Sequence, residues 1–215
     1  MDYALQRKKM VEEQIVRRGV RDPRILEVMR RTPRHLFVDP GLAHQAYGDS
    51  PLPIGDGQTI SQPYIVAYML AELGLAGRER VLEIGMGSGY LTALLSQLVE
   101  RVYAIERLRS LAIPARRLLE RLDCTNVLVK IFDGNYGWPE AAPFEAIVVS
   151  AVATAEPPAA LLGQLAPGGR MLIPLLDGQG EYLYRFIRNE EGDGFQSERL
   201  LACSFVKLVR RYGGK

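Results

Sequence analysis

The stretch VLEIGMGSGY, residues 81–90, indicates the fold of this chain. A short apolar run containing an acid leads into three alternating glycines, and YLTALLSQL (90–98) then shows helical spacing. This pattern predicts a β-strand, a glycine loop and a helix. In an open α/β sheet, ligands bind beyond the carboxyl ends of the strands, and glycines let them approach the backbone closely. Because tight turns also use glycine, G-x-G alone is a weak signal.

Strands and helices alternate outward from this loop. Helices are predicted at 90–98, 109–122 and near 157–165, and apolar runs predict strands in RVLEIG (80–85), RVYAIE (101–106), NVLVKIF (126–132), FEAIVVS (144–150) and GGRMLIPL (168–175). This alternation predicts a doubly wound, mostly parallel sheet of the Rossmann-like α/β class, with right-handed crossovers.

The sequence on either side of this region lacks the alternation of strands and helices. Toward the N-terminus, helices are predicted over 3–18, 23–31 and 63–73, with an irregular covering segment at 34–57. Toward the C-terminus, EYLYRFIRN (181–189) and LLACSFVKLVR (200–210) predict two strands of an antiparallel β extension.

Composition excludes several classes of protein. The 215 residues carry a net charge of +2, with 47% hydrophobic and 24% charged residues, which fits one globular domain rather than a dedicated nucleic-acid binder. The two cysteines are far apart and form no CxxC, so neither a disulfide framework nor a zinc site is expected. No apolar stretch reaches membrane-spanning length, so we expect a cytoplasmic protein without a membrane partner.

Acidic residues accompany the glycine loop. Glu83 precedes the first glycine by two residues, and Glu106 ends the second strand seventeen residues after Gly89. Glu106 is placed to accept both ribose hydroxyls of a nucleoside, and Asp133, at the end of the third strand, to accept an adenine amino group. The G-x-G-x-G spacing differs from the dinucleotide G-x-G-x-x-G, so the set describes an adenosine pocket without a phosphate cradle. S-adenosylmethionine is the natural candidate. The alternative for Glu106 or Asp133 alone is that the carboxylate caps a helix or a turn.

The order of motifs resembles that of the protein-L-isoaspartate O-methyltransferase family over nearly the whole chain. The matching segments are RTPRHLFVDP (31–40), GDGQTISQPYIVAYM (55–69), VLEIGMGSGY (81–90), AIER (104–107), DGNYGWPEAAPFEAIVVSA (133–151) and QLAPGGRMLIPL (164–175). The combination of TISQP (59–63) with the glycine loop is specific, since other methyltransferases share the loop but not that stretch.

The resemblance implies a repair methyltransferase that moves a methyl group from S-adenosyl-L-methionine to the α-carboxylate of L-isoaspartyl residues in damaged proteins and peptides. S-adenosyl-L-homocysteine is the other product, and no metal is implied. The resemblance also divides the single domain into three parts. These are an N-terminal helical and substrate-loop segment (1–62), a cofactor-binding α/β core (63–176) and a C-terminal β extension (177–215). A monomer is expected, with no nucleic-acid partner.

The resemblance also implies roles for individual residues. Ser61 is the expected catalytic residue. The substrate contacts are expected from Thr59, Ile60, Ser61, Gln62 and Val206. The cofactor contacts are expected from Tyr64, Glu83, Gly85, Gly87, Ser88, Gly89, Glu106, Arg107, Asp133 and Gly134.

The chemistry suits the residues of the TISQP run. The attacking carboxylate is already ionised at neutral pH, with a reference pKa near ~4, so no general base is needed. A carboxylate and a sulfonium become a neutral ester and a thioether, so neutral donors such as the Ser61 hydroxyl serve better than a strong cationic clamp. The alternative for Ser61 is a helix N-cap, with Pro63 in the first helical turn.

Four positions depart from the family pattern, and two other functions stay open. The departures are Met86, Phe132, Val152 and Lys207, of which Lys207 bears most on substrate positioning. The first alternative is a methyltransferase of the same fold with another substrate. The second is a non-catalytic adaptor that keeps the fold, with or without the cofactor.

Overall fold

A computed structural model of the chain describes residues 2–209, which form an α/β structure around one mixed sheet. The strands of this sheet run in the order β10 (Phe195–Ala202), β9 (Gly180–Arg188), β8 (Leu165–Asp177), β6 (Phe144–Val149), β3 (Arg80–Ile84), β4 (Arg101–Glu106) and β5 (Val127–Ile131), with β7 (Ala153–Thr154) paired to β8. Neighbours from β8 to β5 are parallel, and β9 and β10 add antiparallel pairs at one edge. The predicted mostly parallel sheet with a C-terminal β extension is confirmed.

The parallel strands lie close to their predicted bounds. They are β3 (Arg80–Ile84), β4 (Arg101–Glu106), β5 (Val127–Ile131), β6 (Phe144–Val149) and β8 (Leu165–Asp177). Alternate side chains of β3 and β6 enter two separate apolar cores, one on each face of the sheet. Burial on both faces explains why these strands read as continuous apolar runs.

Helices cover both faces of the sheet. They are α3 (Pro63–Leu73), α4 (Tyr90–Leu95), α5 (Arg109–Arg121) and the short α6 (Ala159–Leu162). The predicted helix at 157–165 is shortened because β8 already begins at Leu165. Gly74, with a φ of 54°, ends α3 in the left-handed conformation that glycine favours.

The N-terminal helices pack against α3 and α4. The predicted helix at 3–18 begins as α1 (Tyr3–Lys9), continues through a π-helical segment (Met10–Ile15) and a 3₁₀ turn (Val16–Arg18), and stops at Gly19. The second helix, α2 (Pro23–Arg31), has the predicted bounds, and the Asp22 carboxylate caps it by accepting from the Arg24 N–H.

The predicted irregular segment at 34–57 is wrong in one respect, because it contains part of a β-hairpin. After 3₁₀ turns at Arg34–Phe37 and Pro40–Gln45, β1 (Leu52–Gly55) pairs antiparallel with β2 (Gln58–Ile60). The connecting Asp56 and Gly57 have φ angles of 50° and 68°. Positive φ at both central residues is what a two-residue type I′ turn requires.

The last predicted strand is also wrong over part of its length. The strand β9 (Gly180–Arg188) matches its prediction, but β10 spans Phe195–Ala202 rather than 200–210. Residues 203–209 leave the sheet edge, and Lys207 forms an isolated parallel bridge with Val152 next to β7 (Ala153–Thr154). The last residue of the predicted strand, Arg210, lies outside the described residues.

The helices of the described residues include no candidate for a membrane span. Across residues 2–209, no helix is both long and apolar enough to cross a bilayer.

Close packing of β3 against the turn after β5 generates a stability prediction. A Cβ atom added to Gly134 would lie 2.3 Å from Cγ2 of the buried Ile84. Since Cγ2 is fixed close to the backbone, we expect Gly134→Ala to lower the free energy of unfolding by about 1–3 kcal/mol. Urea denaturation measures this, with Gly178→Ala as the control because a Cβ there meets nothing within 4 Å. Equal urea midpoints for the two variants would contradict the packing argument.

Candidate active site

One cavity lies at the carboxyl ends of the parallel strands β3, β4 and β6. The glycine loop, the end of β4, the TISQP run and the C-terminal segment 206–209 contribute to its wall. These parts are separated widely in the sequence, and the parallel sheet brings the strand ends together at one edge.

The glycine loop turns sharply from β3 into α4. Gly85, Gly87 and Gly89 have φ angles of 81°, 55° and 87°, a region that side chains with a Cβ rarely adopt. The backbone N–H groups of Gly85 and Met86 both donate to the carbonyl of Ile105 on β4, at 2.9 and 3.1 Å. The loop is therefore held by the neighbouring strand and exposes its backbone to the cavity.

Glu106 joins the loop to β4 through its side chain. Its carboxylate is largely buried and accepts from the N–H groups of Gly87 (2.9 Å) and Leu108 (2.8 Å), one on each oxygen. A carboxylate oxygen has two acceptor sites, so each oxygen keeps the capacity to accept a ligand hydroxyl. Position, orientation and remaining acceptors thus suit the predicted ribose role.

Glu83 supplies a second carboxyl group to the cavity. It is fully buried, and although the Thr92 hydroxyl lies near it, neither of its oxygens makes a hydrogen bond of normal geometry among the described residues. Burial raises the pKa of Glu83 to about 8, the nearby Thr92 hydroxyl opposes this shift, and the charge of Glu106 adds to it. A buried acid of this kind is suited to a ligand that brings its own hydrogen-bonding or cationic group.

Asp133 and Gly134 follow β5 at the same edge. The Asp133 carboxylate is buried and accepts from the backbone and side-chain N–H groups of Asn135, at 3.0 and 2.9 Å. It therefore caps the turn Gly134–Tyr136, as one of the two sequence alternatives proposed. Gly134 itself lines the cavity.

Ser61 lies between the end of β2 and the start of α3. The N-cap of α3 is Gln62, whose side chain makes no capping bond and instead donates to Asp49, so the N-cap alternative for Ser61 is wrong. The Ser61 carbonyl accepts from Nη2 of Arg34 at 2.7 Å. Ser61 lines the cavity, and its hydroxyl makes no hydrogen bond to any residue in 2–209.

Val152 holds the C-terminal segment 206–209 in place at the cavity. The Val152 N–H donates to the carbonyl of Val206, and its carbonyl accepts from the N–H of Leu208, both at 2.8 Å. Two of the departures from the family pattern, Val152 and Lys207, are thus bridge partners. A third, Met86, is buried in the cavity wall, whereas Phe132 is 40% exposed and contacts Lys130 and Tyr136 outside it.

Most of the predicted site residues meet in this cavity. Its lining includes Thr59, Ile60, Ser61, Glu83, Gly85, Gly87, Ser88, Glu106, Arg107, Gly134 and Val206. Four predicted residues are not among the lining residues: Gly89 is the N-cap of α4, Asp133 caps its turn, Gln62 binds Asp49, and Tyr64 packs against Arg18 and Tyr68.

Sequence reasoning missed other lining residues. Ile54 belongs to β1, which lies in the segment predicted as irregular, Gln58 begins β2 just after that segment, and Ser150 follows β6. Ser150 could have been found from the rule that ligands bind beyond strand carboxyl ends. In the sequence, Tyr90 looks like an ordinary apolar residue of α4. Its place beside the cavity depends on packing in the folded chain.

The fold and this cavity define an S-adenosylmethionine-dependent methyltransferase. The unpartnered Glu83 carboxyl, the acceptor capacity of Glu106 and the open glycine backbone fit this cofactor. A solved Plasmodium falciparum structure, assigned to the protein-L-isoaspartate O-methyltransferases and containing S-adenosyl-L-homocysteine, matches with a TM-score of 0.84 and 26% identity. The match covers 95% of this chain and 99% of that one. Another solved protein-L-isoaspartate O-methyltransferase matches with a TM-score of 0.83 and 30% identity, over 94% and 65% of the two chains.

Sequence comparison specifies the family. Residues 5–213 match the family model of the protein-L-isoaspartate(D-aspartate) O-methyltransferases. A protein-L-isoaspartate O-methyltransferase of Geobacter metallireducens is 52% identical over 99% of this chain and 98% of its own. One from Syntrophus aciditrophicus is 53% identical over 98% and 97%. The chain belongs to this family, and its function is repair methylation that uses S-adenosyl-L-methionine.

The buried Glu83 generates a pH prediction. Its pKa is about 8 in the folded chain and near the usual 4.5 when unfolded, so the folded chain retains a proton that the unfolded chain releases. Stability therefore falls as pH rises from about 4.5 to about 8. Because glutamine cannot ionise, Glu83→Gln should raise the Tm of the cofactor-free protein more at pH 8 than at pH 5, by about 5 °C or more.

Calorimetry or dye-based melting measures this difference, with the exposed Glu140→Gln as the control. A Glu83→Gln gain that is the same at both pH values would show that the Glu83 pKa is not raised.

Proposed function

We propose that Ser61 holds the substrate α-carboxylate in this cavity while Glu83, Glu106 and the glycine loop hold the cofactor. The observation that carries the proposal is the meeting of the TISQP run and the glycine loop in one cavity. Thr59, Ile60 and Val206 form the substrate side of the wall in this arrangement. S-adenosylmethionine supplies an activated methyl group when bound.

Alignment of the reacting groups is the main task of these residues. The substrate carboxylate is ionised at neutral pH and needs no base to attack. The protein must therefore bring the carboxylate oxygen, the methyl carbon and the sulfur close to a line and exclude water. Buried Ile60 and Met86 supply apolar wall that excludes water from the cavity.

A neutral donor suits the charge change of the reaction. Charge is lost as the ester forms, so a strong cationic clamp on the carboxylate would stabilise the ground state more than the transition state. The Ser61 hydroxyl is neutral, and its lack of a hydrogen-bond partner within residues 2–209 leaves it available to the substrate. The cations of Arg107 and Lys207 also line the cavity and favour the approach of an anionic substrate.

Methyl transfer from labelled S-adenosylmethionine to two synthetic peptides tests the substrate. The peptides differ only in L-isoaspartyl or L-aspartyl at one site. We expect base-labile label on the isoaspartyl peptide alone. Label on neither peptide, with cofactor binding confirmed by calorimetry, would favour a methyltransferase of the same fold with another substrate.

The role of Ser61 gives a kinetic prediction. Ser61→Ala removes the donor to the carboxylate, so kcat/KM for the isoaspartyl peptide should fall about 10- to 100-fold. The Kd for S-adenosyl-L-homocysteine should change less than about twofold, because the cofactor contacts remain. Steady-state kinetics and calorimetry measure the two values, with exposed Ser197→Ala as the control. A large loss of cofactor affinity in Ser61→Ala would contradict the assignment.

The role of Glu106 gives the opposite pattern. Glu106→Ala removes the proposed ribose acceptor and the bond that positions Gly87, so cofactor affinity should fall about 10-fold or more. Calorimetry measures the Kd, and Glu140→Ala, which removes an exposed carboxylate outside the cavity, is the control. Unchanged affinity in Glu106→Ala would mean that the ribose is bound elsewhere.

Assembly and compartment belong to the same proposal. We infer a cytoplasmic monomer without a nucleic-acid partner, which the near-neutral charge of +2 supports. Light scattering at micromolar concentration tests the monomer.

A further inference from the structure

Arg34 is a buried arginine that contacts three separated parts of the chain around the cavity. It is fully buried in the segment after α2. Its Nε donates to the carbonyl of Ala46 at 2.8 Å, and its Nη2 donates to the carbonyl of Ser61 at 2.7 Å. The guanidinium lies over the ring of Tyr90, 4.8 Å from the ring centroid. Tyr90 is the first residue of α4, directly after the glycine loop.

The charge of this side chain is not neutralised by a carboxylate. Within residues 2–209, Arg34 forms no ion pair, and its Nη1 has no hydrogen-bond partner. Burial lowers the pKa of Arg34 to about 10, so the side chain remains charged at neutral pH. A buried cation without a counter-charge is costly, and an apolar side chain would often give equal or greater stability. Stability alone therefore explains this arginine poorly.

The geometry of the guanidinium is what an apolar residue or a lysine could not replace. Its planar fork bonds two backbone carbonyls at once while its Cζ lies over the ring of Tyr90. The Nε atom holds Ala46 at the end of the 3₁₀ turn Pro40–Gln45, and Nη2 holds Ser61. The guanidinium also contacts Tyr90, which directly follows the glycine loop.

We propose that Arg34 is a positioning residue for methyl transfer, which fixes Ser61 relative to the cofactor loop without lining the cavity itself. Ser61 lies outside both β2 and α3, so its carbonyl is not part of a strand ladder or a helix. The bond from Arg34 to the Ser61 carbonyl therefore sets where the Ser61 hydroxyl lies. The contact with Tyr90 fixes the guanidinium relative to the glycine loop. This inference rests on the proposed role of Ser61.

A double-mutant cycle separates positioning from stabilisation. The variants are Arg34→Lys, Ser61→Ala and the double variant, compared by kcat/KM on the isoaspartyl peptide. Lysine keeps a positive charge but lacks the planar fork that bonds two carbonyls at once. We expect Arg34→Lys to lower kcat/KM about 10-fold or more, because small misplacement of an aligned group is costly. In the Ser61→Ala background the same change should cost less than about twofold.

Three further measurements distinguish a positioning effect from a smaller amount of folded protein. Rates are expressed per site titrated with S-adenosyl-L-homocysteine, so unfolded chains do not count. The Kd for that ligand should change less than about threefold in Arg34→Lys, and the loss should appear in kcat or in the peptide KM. The matched control is Arg170→Lys, because Arg170 also donates to a backbone carbonyl, that of Gly74, outside the cavity lining. Its kcat/KM should equal that of the wild type.

Each outcome decides the inference. Independent, multiplying losses in the cycle, or unchanged kcat/KM per titrated site in Arg34→Lys, would overturn it. If Arg34→Lys does not fold, Arg34→Gln replaces it, since the amide NH₂ group keeps N–H donors without a buried charge. Failure of both to fold would show a purely structural role. A wild type that does not methylate the isoaspartyl peptide would overturn the proposed function as well, whereas losses that multiply in an active enzyme overturn the positioning role alone.

Discussion

The attachment of the glycine loop to β4 is the constraint on which the cofactor side of the cavity depends. The carbonyl of Ile105 accepts two loop N–H groups, and the Glu106 carboxylate accepts a third from Gly87. These bonds require β3 and β4 to be parallel neighbours in one register. Glu106 therefore has two tasks, since it shapes the loop and also presents acceptors to the ligand, and the two depend on the same carboxylate position.

Much of the fold was predictable because burial on both faces of a sheet imprints continuous apolar runs on the sequence. The strand β4 matches its prediction residue for residue. The β1–β2 hairpin was missed although Asp-Gly is a strong signal for a two-residue turn, because its strands are only four and three residues long. The end of β10 was misplaced because residues 203–209 keep an apolar pattern after leaving the ladder, and pairing is decided by distant Val152.

The site was less predictable than the fold where packing, rather than chain order, decides position. Strand ends and glycines located Glu83, Glu106 and Gly87, since sheet topology fixes where strand ends lie. Tyr64 follows the TISQP run directly, yet the helical rotation of α3 turns its ring to Arg18. Arg34 gave no signal beyond its place in a matching segment, because a buried cation without a counter-ion is not expected from sequence patterns.

The turn of the β1–β2 hairpin has a chemical consequence for the protein itself. Isoaspartate arises when the backbone nitrogen after an aspartate attacks its side-chain carboxyl carbon, and here that pair is Asp56 and Gly57. The Asp56 carboxylate accepts the hydroxyl of Ser110, and its backbone is fixed in a tight turn. Cyclisation would have to break both restraints, so the turn geometry and the Ser110 contact slow isoaspartate formation in a repair enzyme at a bond of the type it repairs.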